Sequence, residues 1–63
     1  MLDVDALNAL GRRIRTLLRR AKRPLALDEI ARQLGESRYD VHDAISISLS
    51  GWIEMRNNTY KLL

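Results

Sequence analysis

The 63-residue chain has no cysteine and no phenylalanine, one histidine, one proline and three glycines. Without cysteine there is no disulfide and no thiolate metal site, and His42 alone cannot build a histidine cage. No apolar run exceeds three residues, so nothing reads as a transmembrane span or as the apolar region of a signal peptide. The expectation is a cytoplasmic protein without membrane contact, either complete or a trimmed domain. There is also no nucleophile–base pair, metal cluster or phosphate-cradling glycine loop. A chain this short leaves little room for a water-excluding pocket beside a core, so neither an enzyme nor a cofactor is expected.

What is present is aliphatic and basic. Hydrophobic residues make up 46% of the chain, charged residues 30%, and eleven positions are leucine. That profile fits one small soluble domain over residues 1–63, which buries only about 60% of the surface of its unfolded chain. The net charge of +3 is unevenly spread. Residues 1–23 carry seven basic groups against Asp3 and Asp5, giving +5, while residues 24–63 carry four against six acids, giving −2. Such asymmetry points to an anionic partner for one segment, either nucleic acid or an acidic protein face.

Pro24, Gly35 and Gly51 divide the chain. Before Pro24, Leu7, Leu10, Ile14, Leu17, Leu18 and Ala21 recur at three- and four-residue spacing, which predicts an amphipathic helix over residues 1–22. Gly11 falls on its apolar stripe, where a close-packed neighbour would explain the missing side chain. A second helix follows from Leu27, Ile30, Ala31 and Leu34 on one face, stopped by Gly35. A third opens with Ser37 as N-cap and buries Val41, Ala44, Ile45, Ser48 and Leu49, ending at Gly51. Two helices joined by so short a turn form a helix-turn-helix over 24–51.

Residues 52–63 switch to strand alternation. A reversal at Asn57-Asn58 pairs Arg56 with Thr59, Met55 with Tyr60, Glu54 with Lys61 and Ile53 with Leu62, placing apolar against apolar and opposite charges together. Trp52 and Tyr60 are expected in the core. Ile47 points off the buried stripe, so either the hairpin or the first helix covers it, or it lies at a subunit contact.

From Pro24 to Leu62, "PLALDEIARQLGESRYDVHDAISISLSGWIEMRNNTYKL" resembles a winged helix-turn-helix domain. The likeness rests on an extended Pro-Leu lead-in, an E-I-A-x-x-L-G helix, a Ser-capped recognition helix and a Gly-x-Ile passage into a hairpin wing. Three departures stand out: Ala26 replaces the usual Ser or Thr cap, the third helix is about one residue short, and Asp40 and Asp43 outnumber Arg38 on it. The resemblance implies a mainly α fold of three helices plus a small β-hairpin, the wing. It implies double-stranded DNA binding and a role in transcription regulation. Ser37 and the helix N-terminus would meet a phosphate, Arg38, Tyr39 and His42 would approach the bases with Ser46 on the same nucleic-acid face, and Arg56, Asn57, Asn58 and Lys61 would form the wing contact. Winged helices specialised for left-handed duplexes carry Asn and Tyr four apart, where His42 and Ser46 stand here, so that activity is not expected.

Arg12, Arg15 and Arg19 form a stripe opposite the leucines of the first helix, with no glutamate in that helix to neutralise them. They are either a solvated face or a second face for an anionic partner. The alternative to DNA binding is therefore a protein-interaction module or inhibitor that docks on an acidic protein surface. The same stripe could meet Asp40, Asp43 and Glu54 of another copy, making a homo-oligomer.

Overall fold

Asp3 fixes where the first helix starts. In the computed structural model, which describes residues 2–63, its carboxylate accepts a hydrogen bond from the Ala6 N–H at 2.8 Å. That bond satisfies one of the amides left open by α1, Val4–Ala21. Asp5 in the first turn and Arg19 and Arg20 in the last complement the helix dipole. Leu7, Leu10, Gly11, Ile14 and Leu18 are buried, while Leu17 and Ala21 pack at the margin of the core. Lys22 then turns left-handed at φ 55°, and its N–H caps the Leu18 carbonyl at 3.2 Å.

Arg23 and Pro24 lead into β1, Leu25–Ala26, which pairs antiparallel with a later strand. The C-terminal sheet is therefore three-stranded, a correction to the two-stranded hairpin that the alternation predicts. Two residues are too short to display a period of two, so β1 leaves no alternating pattern in the sequence. Leu25 is nevertheless almost wholly buried.

The second helix, α2, spans Leu27–Leu34. Ala26 at its N-cap makes no side-chain bond, as its lack of a hydroxyl requires, and Asp28 and Glu29 supply the negative charge of the first turn. Gly35 stops it at φ 68°. The Glu36 N–H reaches the Ala31 carbonyl and the Gly35 N–H reaches that of Arg32, a double closure that satisfies two otherwise open carbonyls. Ser37 starts α3, Arg38–Ser48, its hydroxyl accepting from the Asp40 N–H at 3.1 Å. This helix ends three residues before Gly51, and Gly51 instead supplies the left-handed turn, φ 87°, into the sheet.

β2, Ile53–Arg56, and β3, Thr59–Leu62, pair in the expected register, and β3 sits between β1 and β2. Asn57 and Asn58 take φ of 53° and 63°, the pair of left-handed residues that a two-residue hairpin turn demands. Ile14, Leu25, Ile30, Val41 and Leu49 are the most deeply buried large side chains, so every helix and the sheet contribute to one core.

Four positions differ from expectation. Trp52 is 58% exposed rather than core: Leu49 and Tyr60 occupy the interior, and the indole lies outside, beside α1. Ile47 is likewise 58% exposed, covered by neither the hairpin nor the first helix. Met55 pairs with Tyr60 as the register requires, but it sits near the hairpin tip, past the edge of the core, and is exposed. Ser48 is only partly buried, although it lies against α1 at Gly11.

Candidate functional site

The outward face of α3 is left bare by the packing. Val41, Ala44 and Ile45 turn inward, and the helical period consequently carries Tyr39, His42 and Ser46 outward, with Ser37 and Arg38 at the N-terminal end. All five are exposed, Tyr39 to 78%. His42 Nδ1 lies 3.9 Å from the Asp43 carboxylate.

The hairpin divides the remaining candidates. Its alternation sends Met55 and Tyr60 to one face and Arg56, Glu54 and Lys61 to the other. On the first face a cleft of about 420 Å³ opens between the start of α2, the start of α3 and the hairpin tip. Asp28, Arg38, Met55 and Asn58 line it. Arg38 and Asn58 are thus brought together as the sequence suggests. Arg56, Asn57 and Lys61 are not: they surround a separate depression on the far face, beside Pro24 and Thr59.

Ion pairs change the charge available at these residues. Arg38 Nε is 3.2 Å from the Asp28 carboxylate, and Glu54 sits between Arg56 at 3.5 Å and Lys61 at 3.3 Å. Every cation of α3 and the hairpin therefore has an acid beside it. Asp28 belongs to the site although its sequence position, in the first turn of α2, signals only dipole complementation. The Asn57-Asn58 turn is conformational first, and Thr59 closes it by donating from its hydroxyl to the Arg56 carbonyl at 2.7 Å.

On α1 the situation is the reverse. Arg13 is engaged, bonding the Glu36 carboxylate and the Leu34 carbonyl, each at 2.8 Å, and so clamps α1 to the end of α2. Arg12, Arg15 and Arg19 form no ion pair among the described residues. They line one shallow depression with Thr16. The Arg15 guanidinium carbon stands 5.1 Å from the centre of the Trp52 ring, within the range of cation–π attraction. This partner escapes a sequence reading that assigns Trp52 to the core.

Among the described residues no group of three or more His, Asp or Glu side chains could hold a metal ion, and no helix is long and apolar enough to cross a membrane. Comparison with protein-family models, curated proteins and solved structures gives no match to the chain.

Proposed function

We propose that this chain is a winged helix-turn-helix domain that binds double-stranded DNA through α3 and the hairpin, as a cytoplasmic transcriptional regulator. The observation that carries this is the bare outer face of α3, with the hairpin tip standing across a cleft from its first residue, Arg38. Seated in a major groove, Ser37 and the open amides of the helix N-terminus meet a phosphate, and Arg38, Tyr39, His42 and Ser46 face base edges. Asn57 and Asn58 follow the groove wall, and Arg56 and Lys61 on the far side of the wing reach the flanking backbone. One module of this size covers too little DNA for high specificity, which favours a dimer or higher oligomer on its site.

The local ion pairs do not oppose this. Exposed pairs of this kind are worth about 0–1 kcal/mol, so Arg38, Arg56 and Lys61 exchange a carboxylate for a phosphate at little cost. A specific result follows. Asp28→Asn frees Arg38, and Glu54→Gln frees both Arg56 and Lys61. Each change also removes a negative charge from the docking face, so each variant is expected to bind a mixed-sequence duplex several-fold more tightly in an anisotropy titration. If both variants bind like the parent or more weakly, the DNA does not use these cations.

A protein-interaction module remains the second reading, because among the described residues most of the cations without acidic partners lie on α1 and none lies on α3. Total absence of duplex binding at low salt would favour it. For a homo-oligomer built on acid–arginine contacts, Asp40 and Asp43 are the available acids, since Glu54 is already shared by two cations.

A further inference from the structure

We propose that the arginine row of α1 together with Trp52 forms a binding face for single-stranded nucleic acid, separate from the α3–hairpin surface. Arg12, Arg15 and Arg19 succeed one another at three- and four-residue steps and so share one side of α1, and Lys22 follows just past its end as the left-handed cap. Arg19 and Lys22 also line a second depression with Arg23 and Pro24, which extends the positive track past the end of α1. From Arg12 to Arg19 the helical rise spans about 10 Å, room for a short stretch of strand. Arginine is suited to this, since its planar fork donates to two phosphate oxygens at a time.

Charge alone would fit an acidic peptide equally well; the tryptophan decides between them. Trp52 is more than half exposed, yet its backbone is held at both ends. Its N–H donates to the Leu49 carbonyl at 2.9 Å and its carbonyl accepts from the Leu63 N–H at 3.0 Å. A large aromatic ring is thus presented to solvent from a fixed mount, directly beside unpaired arginines. Carboxylates would satisfy the arginines and leave the ring unused. A single strand satisfies both, with phosphates on the arginine row and a base stacked on the indole, the combination that single-strand binders employ. A duplex keeps its bases inside the stack, out of reach of the ring, which is why this face suits unpaired strands.

Trp52 is the sole tryptophan, so its fluorescence reports on this face alone. An oligo(dT) strand of about a dozen nucleotides is expected to quench it at low salt. A sugar-phosphate strand of equal length without bases, and an oligoglutamate, should leave it unquenched. With a labelled strand, Trp52→Ala should weaken binding about 5- to 150-fold, the range expected for one lost stacking contact, and Trp52→Phe should restore most of it. Joint replacement of Arg12 and Arg19 by alanine should reduce the slope of log affinity against log salt by about 1.4. Arg38→Ala, which belongs to the duplex surface, should leave the quenching unchanged, so this proposal and the duplex proposal can fail independently. The proposal is overturned if oligoglutamate or the base-free strand binds as tightly as oligo(dT). Undiminished binding by Trp52→Ala, or loss of quenching in Arg38→Ala, would overturn it equally.

Discussion

Ile30→Ala is expected to lower the melting temperature of the chain by about 8–40 °C. Ile30 has no exposed surface and is one of only two buried residues that α2 contributes. Truncating such a side chain removes apolar contact and leaves a cavity that collapses incompletely, at about 2–5 kcal/mol. A domain of this size has only about 3–9 kcal/mol in hand, at 0.05–0.15 kcal/mol per residue. The eight-residue α2 has little to spare of its own, since isolated helices this short do not persist in water and its N-cap makes no side-chain bond. Circular dichroism during heating checks this. The same truncation at Leu34, which is only partly buried, should cost clearly less. A variant of Ile30 that melts with the parent would mean that the core lies elsewhere.

Gly11→Ala should lower the melting temperature even though alanine is the better helix former. A Cβ at position 11 would stand 2.6 Å from the Ser48 hydroxyl oxygen and 2.9 Å from the Ser48 Cβ. The second distance is the decisive one. A hydroxyl can rotate away, but a Cβ moves only with its backbone, so α1 and α3 must separate. Overpacking of this kind costs about 1–3 kcal/mol, against a helix-propensity gain of about 1 kcal/mol. The balance is a net loss of up to ~2 kcal/mol, at which the melting temperature of a domain this small falls by about 8–16 °C. Ser48→Gly removes both obstructing atoms, so the double variant should recover part of the loss. Additive losses in the double variant would show that the two helices do not meet at this point.

Most of the fold was legible because its signals are local. The leucine spacing of α1, the Ser37 cap, the Gly35 stop and the hairpin register each follow from a few adjacent residues, and the glycine on the apolar stripe anticipated its close neighbour. What escaped depends on tertiary closure. β1 is too short to show a period, and it becomes a strand only because β3 offers an edge to Leu25 and Ala26. Trp52 follows a helix-ending turn, where a large apolar residue often closes a core. Here Leu49 and Tyr60 already fill that space, and the ring is left outside.

The site was legible as exposed residues but not as a charge pattern. Helical periodicity was enough to put Tyr39, His42 and Ser46 on the open face of α3. Strand alternation likewise separates Arg56 and Lys61 from Asn58, but only once the orientation of the hairpin against the core is known. The pairing of Arg38 with Asp28, ten residues away, is a tertiary contact with no signature in composition.

The central claim is that duplex DNA docks on α3 and the hairpin, and amide chemical-shift mapping of the isotope-labelled protein with a mixed-sequence duplex tests it most directly. The account predicts that the largest shifts fall on residues 37–46 and 56–59, with α1 little affected. Shifts confined to residues 12–22 and Trp52, with α3 and the hairpin unmoved, would contradict it.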